Sequence, residues 1–322
     1  MMNMKQNNWL KKLLPGCILS ILTVTIILLC GDIGKVYDTA QQIKSNCLIW
    51  AGIFAICIYV GRYLKWNFFL RALKIKLPMA KTIPIFFACL SMGLTPGKVG
   101  EVLKSYLLDK LYGIDFVSTA PTILAERVTG TLGCLVLCII SLCFLGEGEY
   151  QKILVSAIAL LILLAVALYV GKNYFLSWGF GKMKKIKYMA KWQEKVKSFY
   201  ESSVKLLGWK IICIGVCISC LYWMMECMVF YTLLQGVGVH IGVMAAILIL
   251  TSVSIGGGLT MSPGSIGAVE GGLLGILMYQ GMSLEVASCV VFMHRGYAMW
   301  SVVVLGSVLL VKKYYKAICE IN

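Results

Sequence analysis

The chain has 322 residues, of which 60% are hydrophobic and 14% are charged. Ordinary globular proteins contain roughly 45–50% apolar and about 25% charged residues, so this composition excludes a typical soluble domain. The formal net charge of +16 comes from 30 basic residues against 14 acidic ones. In so apolar a chain this charge favours contact with anionic lipid, and we expect no nucleic-acid partner. The composition predicts an all-α polytopic membrane protein that forms one domain over residues 1–322.

Six apolar segments are long enough to cross a bilayer, which takes about 20 residues. The first of them follows Lys5, Lys11 and Lys12 as a signal peptide would. No small-residue cleavage pattern comes after it, which favours a retained membrane anchor. The six predicted spans are Leu14–Cys30, Cys47–Leu64, Phe116–Leu145, Ile153–Gly171, Ile211–Leu234 and Leu284–Val311.

Two further apolar segments, Thr82–Tyr112 and Gly242–Gln280, are interrupted near their centres by Pro-Gly sequences. Irregular backbone at membrane depth is tolerated only inside protein or beside water. We therefore predict that each segment is a re-entrant hairpin of two half-helices, which enters and leaves the membrane on one side.

Lysine and arginine are concentrated in four segments, and such residues mark the cytoplasmic side. These are the N-terminus, the segment after the second span, the loop 172–210 and the C-terminal tail. All four lie in the cytoplasm only if both Pro-Gly segments are re-entrant. The two termini are then cytoplasmic, and three crossings separate the hairpins, so that residues 82–145 and 242–311 form an inverted repeat. The segment after the second span contributes Lys65, Arg71, Lys74, Lys76 and Lys81.

The two Pro-Gly loops begin two similar stretches of sequence. Each loop is followed by a glycine that lies 14 residues before an arginine, with Gly113 before Arg127 and Gly281 before Arg295. Matching intervals of this kind indicate an internal duplication.

The loops and the two arginines are candidates for binding a phosphate-bearing headgroup. A half-helix attracts anions to its N-terminus through unpaired amides and its dipole, and glycine lets a headgroup approach the backbone. An arginine at membrane depth is costly without a partner, and its planar fork suits phosphate. The predicted headgroup-binding residues are Gly97, Lys98, Gly100, Arg127, Gly264, Ser265, Gly267 and Arg295.

Acidic residues are placed to balance these arginines. Glu101 and Glu270 follow the two loops, whereas Glu126 precedes Arg127 but points about 100° away around the helix. These carboxylates are predicted to pair with the arginines, to hold a cationic amine or to exchange protons, and the sequence does not rank these roles. Glu226, alone within its span, has the same ambiguity.

Cysteine and histidine are not arranged as metal ligands. Most of the 14 cysteines lie within apolar spans, where cysteine acts as a small hydrophobic residue. The two histidines, His240 and His294, are far apart in the sequence, and we expect His294 to be a hydrogen-bonded packing residue. We predict no metal and no cofactor, and we assign no catalytic residue.

As an ordered set, these motifs resemble the lysylphosphatidylglycerol synthase transmembrane family, a flippase-like domain that includes the membrane half of the bacterial multipeptide resistance factor. The resemblance implies a lipid flippase or scramblase in a bacterial or archaeal cell membrane. Its substrates would be phospholipids with modified headgroups, such as lysyl-phosphatidylglycerol, and it would be linked to resistance against cationic antimicrobial peptides. The resemblance covers about residues 10–312 and is carried by Pro96-Gly97-Lys98-Val99-Gly100-Glu101, Glu126-Arg127, the loop from Pro263 to Glu270, and Arg295.

The chain departs from the pattern of this family in three respects. Many members carry an acid three residues after the first arginine, where this chain has Gly130. Glycine is common in the second loop where this chain has Ser265. Some relatives carry a soluble domain that joins lysine to phosphatidylglycerol, and nothing before Asn322 corresponds to it, so we expect a stand-alone member.

Three functions stay open at this stage. The first is a flippase that acts on membrane phospholipids. The second is a phosphatidylglycerol lysyltransferase-type enzyme with Glu101 or Glu270 as general base, which is disfavoured because the loop 172–210 has no glycine-rich nucleotide cradle. The third is a membrane subunit or partner of a separate lipid-modifying synthase or glycosyltransferase, docked on that basic loop. The sequence also leaves open whether the protein is a homo-oligomer.

Overall fold

The computed structural model describes residues 33–91, 99–145, 155, 158, 190–260, 263–309 and 312. Within these residues the chain is helical and contains no β-strand, in agreement with the predicted all-α class. A 3₁₀ turn covers Pro263–Ser265, and a π-helical turn covers Gly296–Trp300. The helices are α1 (Ile33–Gln42), α2 (Ser45–Ala72), α3 (Met79–Leu90), α4 (Val99–Tyr112), α5 (Phe116–Thr119), α6 (Pro121–Leu145), α7 (Ala190–Leu206), α8 (Trp209–Gly236), α9 (Val243–Leu259), α10 (Ala268–Tyr279), α11 (Leu284–Arg295) and α12 (Ser301–Leu309).

Four helical stretches of the described chain are long and apolar enough to cross a membrane. The 28-residue helices α2 and α8 are each about 42 Å long, which exceeds the roughly 30 Å of the hydrocarbon core. The predicted span Leu14–Cys30 lies outside the described residues, as does almost all of Ile153–Gly171. The four stretches correspond to the other predicted spans and cover Ser45–Ala72, Phe116–Leu145, Trp209–Gly236 and Leu284–Leu309.

Helix α2 extends further than the sequence predicts. The prediction ends this span at Leu64 and assigns Lys65 to a cytoplasmic loop, but the helix continues to Ala72. Lys65 is only 4% exposed, so it is not a loop residue. The prediction fails because it equates the first charged residue with the end of the span. A lysine whose ammonium finds polar partners can remain inside the bundle.

Helices α9 and α10 flank the second Pro-Gly loop and pack against each other; that this pair is re-entrant stays a prediction. Gly257 lies against Val269 and Gly272 lies against Val253, so the paired positions run in opposite directions and the helices are antiparallel. A Cβ at Gly272 would be 2.8 Å from Val253 Cγ1, so glycine at this position lets the two helices approach closely. With 17 and 12 residues, the helices are about 26 and 18 Å long, each shorter than the roughly 30 Å hydrocarbon core.

Helices α3 and α4 flank the first Pro-Gly loop, of which residues 92–98 lie outside the described residues. The two helices have 12 and 14 residues, similar to the half-helices of the second hairpin. They share an apolar cluster that includes Phe86, Cys89, Leu103 and Leu107. The side from which each hairpin enters the membrane, and with it the inversion of the repeat and the location of the termini, stays a prediction.

Helix α8 packs against both α2 and α6. Its side chains Phe230, Leu233 and Leu234 are completely buried, and burial of such apolar surface supplies most of the packing free energy. Gly133 lets α6 approach closely, because a Cβ there would lie 2.6 Å from Ser219 Cβ on α8. The three helices therefore meet tightly, and they enclose a group of polar side chains.

Candidate functional site

In the first half of the repeat, the half-helix α4 forms an ion pair with the long helix α6. Arg127 Nε donates a hydrogen bond to Glu101 Oε2 at 2.6 Å. Glu101 lies in the first turn of α4, where the positive end of the helix dipole favours a carboxylate. The Arg127 side chain is 46% exposed and that of Glu101 is 25% exposed. This pair is therefore open to an approaching ligand.

The second half contains the equivalent pair in a more deeply buried position. Arg295 Nε lies 2.8 Å from Glu270 Oε1, and their side chains are 12% and 7% exposed. This distance makes an ion pair, although the Nε–H bond is not aligned for a hydrogen bond. Arg295 Nη2 also donates to the carbonyl oxygen of Ser265 at 3.4 Å. Glu270 Oε2 accepts from the Gly267 amide at 2.8 Å, so one carboxylate ties the arginine to the start of α10.

The two ion pairs have the same relation to the repeated sequence. The glutamate precedes its arginine by 26 residues in the first half, from Glu101 to Arg127, and by 25 in the second, from Glu270 to Arg295. In each half the carboxylate comes from the first turn of a half-helix and the guanidinium from a helix that follows it. The two stretches of sequence with matching intervals thus also share this contact.

Left-handed backbone shapes the second Pro-Gly loop. Gly264, Ser265 and Gly267 have φ values of 61°, 54° and 83°, and only glycine adopts such values without steric cost. This irregular backbone precedes α10, which begins at Ala268. The Gly267 amide at its start is already bonded to Glu270.

The predicted ligands of the first loop are only partly described. Pro96, Gly97 and Lys98 lie outside the described residues, and Gly100 is buried in the first turn of α4. Their role in headgroup binding stays a prediction.

Another ion pair, between Glu126 and Lys104, lies beside the Glu101–Arg127 pair. Glu126 Oε2 accepts a hydrogen bond from Lys104 Nζ at 2.5 Å, and both side chains are largely buried. Glu126 thus pairs away from Arg127, as its position around the helix predicts. The Lys104 ammonium is also 5.5 Å from the ring centroid of Trp66, a distance that gives a cation–π attraction.

Glu226, whose role the sequence leaves open, has a partner on α2. Arg62 Nη2 donates to Glu226 Oε2 at 2.9 Å. The Arg62 guanidinium also lies 5.4 Å from the ring centroid of Tyr222. These contacts join α2 to α8 through buried charge.

Lys65 occupies the centre of these contacts. Its Nζ donates to the backbone carbonyl of Glu126 at 2.9 Å and to Ser219 Oγ at 3.2 Å, and lies 3.4 Å from Tyr222 Oη. Gly130 borders this group, because a Cβ there would be 3.0 Å from Tyr222 Oη and 3.5 Å from Lys65 Nζ. Gly130 therefore adjoins a buried lysine. We call the following residues the polar cluster: Arg62, Lys65, Glu101, Lys104, Glu126, Arg127, Ser219, Tyr222 and Glu226.

Sequence reasoning missed three cations of the polar cluster. Arg62 falls inside the predicted span Cys47–Leu64, where an arginine is itself a sign of function. Lys104 follows Glu101 by three residues and so lies on the same side of the half-helix. Lys65 was not recognised because the prediction assigned it to a cytoplasmic loop. The sequence positions of Arg62 and Lys104 indicate a role for these residues, whereas recognition of Lys65 requires knowledge of where α2 ends.

The residues around Arg295 are held by other contacts. The carbonyl oxygen of Tyr297, in the π-helical turn, accepts from Tyr59 Oη and from Ser301 Oγ, each at 2.8 Å. Such turns are frequent at functional sites. His294 is buried and packs edge-on against Phe230, but its ring nitrogens have no hydrogen-bond partner among the described residues. It is a packing residue as predicted, without the expected hydrogen bond in this part of the chain.

A family model described as the lysylphosphatidylglycerol synthase TM region matches residues 17–306. This match covers most of the chain, which therefore belongs to that family. The chain is also similar to a UPF0104 membrane protein of Methanothermobacter thermautotrophicus, with 21% identity over 316 residues that cover 90% of this chain and 93% of that protein.

Proposed function

We propose that this member of the lysylphosphatidylglycerol synthase transmembrane family is a flippase or scramblase, which moves phospholipids with modified headgroups between leaflets. The observation that supports this most strongly is the repeated ion pair, Glu101 with Arg127 and Glu270 with Arg295. Two equivalent arginines on helices next to broken hairpins give a headgroup two successive phosphate ligands. Broken helices of repeated units line the substrate sites of many transporters.

The exposure of the two pairs suggests an order of events. A guanidinium binds a phosphodiester through two parallel hydrogen bonds, but each arginine must first release its glutamate. Arg127 is the more exposed, and an exposed ion pair contributes little free energy, about 0–1 kcal/mol. A headgroup therefore exchanges for Glu101 most easily, and Arg295 becomes available only after a conformational change. The displaced carboxylates can hold the amine of an aminoacylated headgroup.

The proposal includes the setting in which the protein acts. We place it in a bacterial or archaeal cell membrane with both termini in the cytoplasm, on the basis of its basic segments. Exposure of lysine-bearing lipid on the outer leaflet would lower the negative surface charge. That change would reduce the binding of cationic antimicrobial peptides.

The decisive experiment measures lipid exchange in proteoliposomes. Liposomes contain headgroup-labelled phosphatidylglycerol or lysyl-phosphatidylglycerol, and an external quencher reports label that reaches the outer leaflet. We expect the wild type to exchange label faster than protein-free liposomes, and Arg127→Ala/Arg295→Ala to lose at least about tenfold in rate, equivalent to about 1.4 kcal/mol. The matched control is Lys197→Ala, which removes an exposed cation from α7 and should leave the rate unchanged.

Two results would contradict the proposal. Exchange by folded wild-type protein no faster than in protein-free liposomes, with both lipids, would show that it does not move them. Equal rates for the wild type and the double variant would show that the arginines are not ligands. Formation of lysyl-phosphatidylglycerol by the purified protein from phosphatidylglycerol and lysyl-tRNA would instead establish the enzymatic alternative.

A second candidate is a docking role for a separate lipid-modifying enzyme. Helix α7, within the basic loop, buries Tyr200, Ser203 and Leu206 on one face and exposes Lys197 and Lys205 on another. Such a basic face suits an acidic protein surface as well as anionic lipid. Lys197→Glu/Lys205→Glu should weaken co-purification of a partner synthase if docking is the function, and should leave lipid exchange intact if it is not.

A further inference from the structure

Lys65 has an environment unlike that of the other cations in the polar cluster. It lies in the crossing-length helix α2, and only 4% of its surface is exposed. A buried ammonium ordinarily needs a carboxylate or another counter-charge, because transfer of a charge out of water is expensive. The neighbours of Lys65 therefore decide whether it carries a charge.

The carboxylates of the polar cluster are paired with other cations. Glu101 pairs with Arg127, Glu126 with Lys104 and Glu226 with Arg62. The described part of the cluster thus holds four cationic side chains and three carboxylates, and no carboxylate oxygen is a hydrogen-bond partner of Lys65.

The hydrogen bonds around Lys65 Nζ suit both protonation forms of the amine. The carbonyl of Glu126 can only accept, and Ser219 Oγ uses its hydrogen on the Gly215 carbonyl at 2.7 Å, so both accept from Lys65. The remaining contact, to Tyr222 Oη, is the longest at 3.4 Å. An ammonium donates to it, whereas a neutral amine can accept from the tyrosine hydroxyl through its lone pair. A proton can therefore arrive or leave without displacing a helix.

We propose that Lys65 is a proton-exchanging site, which gains a proton when an anionic headgroup reaches the polar cluster and loses it when the headgroup departs. A negative charge nearby favours the ammonium, and the surrounding cations favour the neutral amine once the ligand has left. Lipid movement is then coupled to proton movement, which supplies an energy source. This inference rests on the proposed function. The titratable and charged groups that face Lys65 in the described structure are Arg62 on α2, Glu101 and Lys104 on α4, Glu126 on α6, and Tyr222 on α8.

Calorimetry measures this coupling without any transport assay. Short-chain phosphatidylglycerol is titrated into the full-length protein in detergent, in two buffers of different ionisation enthalpy, at several pH values between about 6 and 9. The difference in heat between buffers gives the number of protons taken up per lipid bound. For the wild type we expect uptake to reach a maximum of up to about one proton per lipid within this range.

Two substitutions of Lys65 remove proton exchange in different ways. Lys65→Met has no titrating group, and Lys65→Arg keeps a cation that does not lose its proton. We expect both to bind the lipid with no proton uptake, and Lys44→Met, at an exposed lysine between α1 and α2, to behave as the wild type. Because Lys65→Arg keeps the positive charge, it provides the test if Lys65→Met does not fold.

The outcomes separate this inference from the proposed function. Lipid binding by the wild type without proton uptake at every pH would overturn the inference alone, as would unchanged uptake in either Lys65 variant. Absence of lipid binding by folded wild type would contradict the proposed function, and the inference with it. Proton uptake by the wild type and by Lys44→Met, together with its absence in both Lys65 variants, would establish the proton site.

Discussion

The two halves of the repeat keep the same ion pair in different surroundings. Glu101 and Arg127 are partly exposed and adjoin further charged residues, whereas Glu270 and Arg295 are buried and are tied to the backbone of the second loop. Each half contains the glutamate of a half-helix and the arginine that meets it. The residues around the two pairs differ.

This difference suggests a division of labour between the halves. In the first half, the Glu101–Arg127 pair exchanges partners at a small cost in free energy. Lys104, Arg62 and Lys65 belong to the same polar cluster. In the second half, Glu270 also caps α10, so that separation of Glu270 from Arg295 disturbs the hairpin. We infer that the first half receives a ligand and that the second half keeps the hairpin in place until a conformational change occurs.

The largest expected effect comes from removing one arginine at a time. Arg295→Met leaves Glu270 buried without its cation, and loss of one partner of a buried pair costs about 3–5 kcal/mol. Arg127→Met should cost only about 0–1 kcal/mol, because its pair is exposed. The measurement is the free energy of unfolding in detergent, obtained with denaturant for both variants and the wild type.

A double variant tests the reason for that difference. Arg295→Met/Glu270→Leu replaces the buried pair by apolar side chains, which is often neutral, but it also removes the hydrogen bond from the Gly267 amide to Glu270. It should therefore regain the lost free energy except for about 1 kcal/mol that the missing cap costs. Equal losses for Arg295→Met and Arg127→Met would show that burial does not distinguish the halves.

Periodicity and spacing allowed much of the fold to be predicted. The crossing-length helices follow from apolar length, and the interruption of the segment Gly242–Gln280 follows from the Pro-Gly break. Pairing of Glu270 with Arg295 was one of three roles that the sequence left open for this carboxylate. The sequence did not predict where α2 ends, because a lysine is compatible with a loop as well as with a buried, hydrogen-bonded position.

The rest of the polar cluster depends on tertiary packing. Lys65 meets Glu126 and Ser219 only because three helices approach closely, and those residues are far apart in the sequence. Conformational propensity also does not predict the left-handed backbone of Ser265, because serine is disfavoured in that conformation. Such contacts are set by which helices pack together, and a single sequence does not encode that in a readable pattern.

A second prediction compares the close helix contacts of the two halves. Gly133→Ala places a Cβ 2.6 Å from Ser219 Cβ and 3.0 Å from the backbone nitrogen of Cys220, which cannot move independently. Overpacking of this kind costs about 1–3 kcal/mol. For Gly272→Ala, the three nearest atoms to the added Cβ among the described residues all belong to the Val253 side chain, which can shift, so its cost should be smaller. Denaturant unfolding of both variants gives the comparison.

Gly275→Ala is the control for these substitutions. No atom lies within 4 Å of a Cβ at Gly275, and alanine favours a helix by about 1 kcal/mol over glycine. Gly275→Ala should therefore leave the free energy of unfolding unchanged or raise it. A larger loss for Gly272→Ala than for Gly133→Ala would mean that the second half has the tighter packing.

The smallest expected effect concerns the strain in the second loop. Ser265 has a φ of 54°, and a left-handed conformation costs a non-glycine residue roughly 1–2 kcal/mol. Ser265→Gly removes that strain, but the added freedom of the unfolded chain costs about 0.4–1 kcal/mol. The free energy of unfolding should therefore rise by about 0–1 kcal/mol relative to the wild type, since relief of strain is the larger effect.

Ser265→Ala separates strain from any role of the hydroxyl group. Alanine keeps the strained backbone and its carbonyl contact with Arg295, so this variant should match the wild type within about 0.5 kcal/mol. If Ser265→Ala loses lipid exchange while its stability is unchanged, the hydroxyl contacts the headgroup. If Ser265→Gly unfolds more easily than the wild type, strain at this position is not what sets the stability of the second hairpin. The buried pair and the cap on α10 would then account for the rigidity that distinguishes the second half from the first.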